Sequence, residues 1–315
     1  MRIFVAGATG AIGQQLVPQL REAGHHVTAM ARSTNRALLL DAVGADVVTG
    51  DALDREGVMR LVSDAKPDAI VNLLTALPDR INPKHIDRDM AATNRLRLEG
   101  SRNLFDAADH AGVARHVVES VAFMTDPSGA AVTDESALLW QSPPPKFAPS
   151  VRAVAEMEEL ALANGGTVLR FGHLYGPGTA FGRNGAFTAQ VVAGKVPIIG
   201  EGASMFSFVR TTDAASAVVA ALDAEETGLF NIVDDEPVRM NEWLPEFAGI
   251  VGAPIPKRVP RWLARLAVGN YGVAWMTSLR GSSNQRAKQA LGWQPSWPTW
   301  RKGFRVDSQK EASDR

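Results

Sequence analysis

Gly7, Gly10 and Gly13 punctuate MRIFVAGATGAIGQQLV at intervals of three, where an apolar run breaks off and resumes with a different period. Met1 to Ala6 reads as a buried strand, and from Ala11 the apolar residues Ile12, Leu16, Val17 and Leu20 recur at helical spacing. A strand that enters a helix through such glycines has few folds open to it. The glycines permit a tight turn, let a pyrophosphate approach the main chain, and let the helix pack close to the strand. The helix start then offers unpaired N–H groups and partial positive charge to the phosphates. The expectation is a dinucleotide cradle built from Gly7, Thr9, Gly10, Ala11, Ile12 and Gly13.

Apolar strand-like runs recur at 2–6, 27–31, 46–49, 69–73, 116–119 and 167–171, each separated from the next by a helical pattern. That alternation predicts an α/β fold with a doubly wound parallel sheet, carrying a smaller, mostly helical C-terminal substrate subdomain. Residues 1–172 are assigned to the dinucleotide-binding part, with 206–235 returning to it, and 173–205 plus 236–315 to the subdomain. One long helix is expected over 85–111, ending at Gly112. Between Thr125 and Pro149 the pattern lapses into a loop at the carboxyl ends of the strands, where open α/β sheets bind ligands. Asp134 and Glu135 read as helix-start residues. The tryptophans from Trp243 to Trp300 are scattered, without a basic stripe, and are expected to pack in core and caps.

With 315 residues, 45% of them hydrophobic, and a net charge of −1, the chain can bury a sizeable core and has no bias toward polyanions. A small-molecule substrate is expected, with no nucleic-acid partner. The absence of cysteine removes disulfides, thiolate metal sites and a cysteine nucleophile. No apolar run reaches the length of a membrane span, so no membrane partner is expected, and a strand beginning at Met1 points to the cytoplasm. Histidines at 25, 26, 85, 110, 116 and 173 lack the spacing of a helical ligand pair, and no metal site is expected.

The motifs GATGAIG at 7–13, GDALD at 50–54, NLLTAL at 72–77, TNRLRLEGSRNL at 93–104, RHVVESVAF at 115–123, RFGHLYGPG at 170–178 and FVRTTDAASAVVAAL at 208–222 follow one another along the chain. In that order and spacing, the sequence resembles the extended or atypical short-chain dehydrogenase/reductase superfamily, which includes nucleotide-sugar epimerases and dehydratases. The resemblance implies that Asp51, Ala52 and Leu53 flank the adenine, and that Leu73, Leu74 and Thr75 line the cofactor beyond the fourth strand. It implies further that Asn94 braces the active-site backbone, with Phe171 and Leu174 also beside the cofactor. Asp51 has an alternative as a helix cap, and Asn94 as a surface helix residue. Choice of dinucleotide is argued from charge. Ala31 stands where NAD sites place an acid, and Arg32 and Arg36 follow, which favours NADP over NAD. The alternative is that both arginines solvate the loop.

The resemblance also implies a Tyr-x-x-x-Lys pair on one helix face, the lysine lowering the tyrosine pKa and the tyrosine exchanging a proton with substrate. Here Ser150 and Val154 stand at those positions, and no lysine lies between Lys146 and Lys195. Ser120 matches the family's serine at the end of the fifth strand, where it would polarise a substrate oxygen or simply satisfy the strand end. His173 is the second catalytic candidate, a group that exchanges protons near neutral pH. Tyr175 is expected to pack beneath the substrate, and Arg210 to bind an anionic group or pair with Asp213. The leading reading is an atypical NADP-dependent oxidoreductase, epimerase or dehydratase with a nonstandard proton donor. The alternatives are an NADP(H) sensor or scaffold, and a redox-neutral enzyme. Dimerisation through 85–111 and 150–164 is implied by the resemblance.

Overall fold

Seven strands form one parallel sheet in the computed structural model, which describes residues 1–33 and 39–310, the last three by backbone alone. They are β1 (Arg2–Ala6), β2 (His26–Ala31), β3 (Asp46–Thr49), β4 (Ala69–Asn72), β5 (Arg115–Val121), β6 (Thr167–Phe171) and β7 (Gly228–Ile232). Their order across the sheet is β7-β6-β5-β4-β1-β2-β3. After β1 the chain builds outward through β2 and β3, then crosses back to lay β4 on the other side of β1. Such a reversal opens a crevice at the carboxyl ends of β1 and β4, where ligands of open α/β sheets bind.

Alternation along β1 sorts its side chains onto two faces. Ile3 and Val5 join Leu16 and Leu20 of α1 (Gly13–Glu22) and Val218 and Leu222 in one core. Phe4 and Ala6 join Val58 and Val62 of α2 (Arg55–Ala65) and Leu104 of α3 (Ser101–Ala111) in another. Each fully buried aliphatic side chain contributes about 1.5–3 kcal/mol of transfer energy, so this patterning fixes which strand face each helix covers. Two further helices position the site: α4 (Ala148–Ala163) and α5 (Thr211–Asp223). A separate, aromatic-rich core joins Phe147, Val151 and Val154 to Phe206, Phe208, Trp243, Phe247, Trp300 and Phe304. That core takes residues from both sides of position 172.

The single helix expected over 85–111 is broken. A 3-10 turn at Pro83–His85 leads into short pieces at Ile86–Asp89 and Ala91–Arg95, a π-helical stretch at Leu96–Gly100, and then α3. The widened turn falls where the helix is pressed against its neighbours. A Cβ on Gly100 would stand 3.3 Å from Leu74 and 3.4 Å from Ala52. The 125–149 segment is also less irregular than expected. Val132–Thr133 pairs with Gly281–Ser282, and Thr125 bridges Leu139. Asp134 and Glu135 start no helix: Asp134 accepts from Ser136 N at 3.0 Å, and Glu135 Oε1 accepts from Asn231 N at 2.7 Å. Leu104 and Phe105 of α3 and Val154 and Met157 of α4 are buried within the chain itself, while Leu162 of α4 is 41% exposed. No helix among the described residues is long and apolar enough to cross a membrane.

Candidate dinucleotide site and reaction cleft

β1 delivers the chain into the glycine turn at the crevice. Gly7 lies at φ +88°, and a Cβ there would stand 2.4 Å from Leu73 O, at the start of the segment after β4. Gly13 is equally confined, its virtual Cβ 2.4 Å from Ala8 O. Gly10 is freer, with 3.3 Å to Gly7 O, and its N–H closes the turn by donating to Gly7 O at 3.0 Å. The three glycines therefore have separate tasks: close packing on β4, an open face toward a ligand, and close packing of helix on strand. Gly178 comes over this loop from the later part of the chain, a Cβ there lying 3.8 Å from that of Ala11. At the start of α1, Gln14 N donates to Gly10 O at 3.0 Å and Gln15 N and Leu16 N donate to Ile12 O at 2.9 and 2.8 Å, so the positive end of the helix dipole lies at this turn. Bare backbone at a helix start fits a dinucleotide pyrophosphate.

The other expected cofactor residues gather at the same end of the sheet. Asp51 is exposed and accepts from Leu53 N at 3.0 Å, while the cap of α2 is Asp54, which accepts from Gly57 N at 3.1 Å. Ala52 is buried, and its carbonyl accepts from Asn103 Nδ2 at 2.8 Å. Leu73 N donates to Ala6 O at 2.9 Å, tying the segment 73–75 to the glycine loop. Asn72 Oδ1 accepts from Leu74 N, and its amide donates to Ser101 Oγ, which fixes that segment on α3. Arg32 is exposed just beyond β2. Arg36 lies outside the described residues. Phe171 is buried in the sheet core, and Leu174 is half-buried against it.

Asn94 is not a surface residue. It is 8% exposed and donates from Nδ2 to Ser150 Oγ at 3.1 Å, joining the broken helix to α4. Ser150 and Val154 follow one another by a single turn on α4, and both are wholly buried.

Ser120 does not face the cleft. It is wholly buried and pairs in register with Arg170, so both side chains leave the sheet on the α4 face. There Ser120 Oγ donates to Glu158 Oε1 at 2.6 Å, while Arg170 grips Glu158 with bonds of 2.8 and 2.5 Å. The hydroxyl expected to polarise a substrate is spent on a buried ion pair. Arg97 and Glu119 extend this charged cluster: burial pushes the Glu119 carboxyl up, the nearby Arg97 guanidinium opposing it.

His173 is also buried, at 5% exposed, inside an aromatic cage. Its ring lies 4.5 Å from that of Phe123 and 4.4 Å from that of Phe206, with Phe181 and Trp275 edge-on. Nδ1 stands 3.2 Å from Ser207 O, and Nε2 is buried without a partner. Burial pulls the imidazole pKa down to about 3, so the group is neutral near physiological pH and does not exchange protons there as the sequence suggested. Stability is then present above the unfolded pKa of about 6.5 and is lost as pH falls toward 3. Between pH 7 and 4.5 this is expected to cost about 2–3 kcal/mol. Denaturant unfolding at the two pH values checks it, and His173→Asn should flatten the slope; an unchanged slope would contradict the burial argument.

Tyr175 is fully buried against Phe208 and Phe304 beside Gly303, and its hydroxyl, without a partner, is pushed up by burial. Arg210 pairs with Asp307 and stacks over Trp297 at 4.2 Å, while Asp213 accepts from Ser296 N and Trp297 N. In place of the expected Arg210–Asp213 pair, Arg210 reaches the last helix at Asp307 while Asp213 holds the segment just before that helix. A hollow of about 490 Å³ opens between Pro83–His85, Pro144–Lys146 and Gly269–Tyr271, and Ser120 has no part in its lining.

Comparison with known proteins agrees with this geometry. The sequence pattern of the NAD dependent epimerase/dehydratase family matches residues 3–232. A 3-diazoavenalumate denitrifying reductase from a Streptomyces species is 45% identical over 307 residues, 96% of this chain and 99% of that protein. Among solved structures, UDP-glucose 4-epimerase from Thermotoga maritima, with UDP-glucose, superposes with a TM-score of 0.78 at 21% identity, covering 100% of this chain and 99% of the other. The human epimerase family protein SDR39U1, with NADPH, gives 0.73 at 21% identity, covering 98% of this chain and 99% of the other. The glycine crevice, the sheet order and the matched span together place the chain in the NAD dependent epimerase/dehydratase family, as an oxidoreductase- or epimerase-like enzyme that works with a nicotinamide dinucleotide.

Proposed function

We propose that the protein is an NADPH-dependent reductase of an aryl diazo compound, replacing the diazo group by hydrogen with release of dinitrogen. The observation that carries the reading is the buried pair Ser150 and Val154 on α4, in a chain that contains no Tyr-x-x-x-Lys at all. Its tyrosines, Tyr175 and Tyr271, are followed four residues on by Thr179 and Trp275. Reduction of a carbonyl leaves an alkoxide that must take a proton, and supplying it is the task of such a pair. A diazonium carbon makes no such demand. The dinucleotide, when bound, supplies hydride. The new C–H bond forms at the ring carbon, the C–N bond breaks, and its electron pair leaves in N₂, so charge and atoms balance without an acid.

The surroundings of His173 suit a flat cationic acceptor. Of the rings around His173, Phe123, Phe181 and Trp275 are half-buried, and aromatic faces attract positive charge. A neutral His173 spares the acceptor the repulsion an imidazolium would exert. The Streptomyces relative, whose name describes reductive nitrogen loss from a diazo compound, supports the same chemistry. Ser120 in this reading is a structural residue. Incubation of the protein with a benzenediazonium salt and 4-deuterated NADPH of each face tests the proposal. Deuterium is expected at the vacated ring carbon, with one N₂ per NADPH oxidised. Deuterium entering only from D₂O, or turnover confined to ketones, would overturn it.

Arg32 supports the choice of NADPH, as an exposed guanidinium beyond β2 able to hold a 2′-phosphate. Arg32→Glu is expected to weaken NADPH binding about 10–100-fold and leave NADH within about twofold. An equal loss for both dinucleotides would remove this argument.

A further inference from the structure

The tryptophan at 262 does not join the core. It is 69% exposed, and beside it Leu266 is 68%, Leu263 44% and Ile255 85% exposed. They belong to one stretch, IPKRVPRWLARL, which runs through the short strand Arg258–Val259 into the helical segment Arg261–Thr277, kinked at Gly269, and the exposed apolar residues lie before that kink. On that helix Ala264 is buried, while Trp262, Leu263 and Leu266 project on the opposite side. Arg261 and Arg265 are exposed along one flank, and Lys257 and Arg258 are exposed just before the helix. None of the four cations has a carboxylate partner among the described residues. The sequence carries no Asp or Glu between Glu246 and Asp307, although the whole chain has a net charge of −1.

We infer that this face lies on an anionic lipid surface. An exposed apolar ridge with a tryptophan, bordered by arginine and lysine without carboxylate partners among the described residues, combines the two attractions that hold a helix in a membrane interface: burial of apolar side chains among acyl chains, and cations against lipid phosphates. Long cationic side chains reach headgroups while their stems cover the apolar border. A second copy of the chain is a poorer occupant, because a self-complementary contact would bring the same four cations together. No membrane partner was expected from the sequence; that no helix among the described residues is long and apolar enough to cross a bilayer says nothing against lying on one.

Flotation of the full chain with phosphatidylcholine vesicles, with and without an equal share of phosphatidylglycerol, tests the inference. Association is expected with the anionic vesicles only and should fade in half-molar salt. Arg261→Glu with Arg265→Glu should weaken it about 25-fold or more, two cations at about fivefold each being lost. Trp262→Ala with Leu266→Ala should weaken it as well. Binding of NADPH, followed by fluorescence, should be unchanged in both variants and shows that they fold. Failure of the unaltered protein to associate with anionic vesicles at low salt overturns the inference, as does association that is indifferent to charge reversal. Concentration-dependent sedimentation abolished by Trp262→Ala with Leu266→Ala, without vesicle binding, would assign the ridge to a second copy instead. Capture of an acidic protein without vesicle binding would likewise overturn it.

Discussion

Alanine at position 13 is expected to lower affinity for the nicotinamide dinucleotide by at least about 100-fold. The added Cβ would stand 2.4, 2.5 and 2.6 Å from O, C and Cα of Ala8, which are backbone atoms of the loop itself. A flexible side chain could swing aside, but here the start of α1 must separate from the loop, and the amides that would meet the phosphates move with it. Overpacking of this kind costs about 1–3 kcal/mol in stability, so the variant should fold with a lowered melting temperature. Gly10→Ala is the control. Its nearest neighbour, Gly7 O, is 3.3 Å away, a tight contact that asks for a shift of only a few tenths of an ångström, so the fold should lose less than in Gly13→Ala while dinucleotide binding still suffers from the methyl group facing the ligand. Isothermal titration with NADPH, alongside thermal unfolding, separates the two effects. Equal affinity in Gly13→Ala and the unaltered protein would show that the turn holds no phosphate.

The largest expected loss of stability follows Glu158→Ala. Glu158 and Arg170 are 6% and 4% exposed in their side chains, and the carboxylate also accepts from Ser120. Removing one partner of a buried pair leaves the other charge without compensation in a low-dielectric interior, at a cost of about 3–5 kcal/mol. For a chain of this size that is a fall in melting temperature of about 5–8 °C. Leucine at both 158 and 170 should recover much of it, because no unpaired charge then remains. Ser120→Ala removes a single hydrogen bond and should cost about 1–2 kcal/mol, without a matching fall in turnover. If Ser120→Ala instead abolished turnover while leaving the melting temperature unchanged, the hydroxyl would be turned toward substrate in the working enzyme.

Much of the nucleotide-binding half could be read locally. Strand alternation in RIFVA, the glycine spacing and the period of Ile12, Leu16, Val17 and Leu20 each depend on residues a few positions apart, and β1 and α1 formed where those patterns place them. The orientation of Ser120 could not be read that way. A strand side chain faces one side or the other according to parity, and the side is set by which helix covers it. For Ser120 that is settled by Glu158 and Arg170, 38 and 50 positions along the chain. Glu135 reads as a helix start until Asn231 comes to its carboxylate. His173 has the look of a neutral-pH base in sequence, and only the cage of Phe123, Phe206 and Trp275 strips it of that role. Trp262 differs from Trp243 and Trp300 only in what packs on it. The IPKRVPRWLARL stretch did carry a signal, its run of cations without an acid, which counts more than the tryptophan alone.

The place of β7 in the sheet has a consequence for how the protein is made. β6 ends at Phe171, yet the strand that covers its outer edge is not complete until Ile232. At ribosomal rates of about 5–20 residues per second, the intervening residues take roughly 3–12 s to appear. Throughout that interval the segment TVLRF, wholly buried in the finished fold, offers an unpaired row of N–H and C=O groups to any neighbouring chain. Nascent protein is therefore most exposed to aggregation after its sheet is largely built, and slow codons placed between 171 and 232 would be expected to lower soluble yield more than the same codons elsewhere.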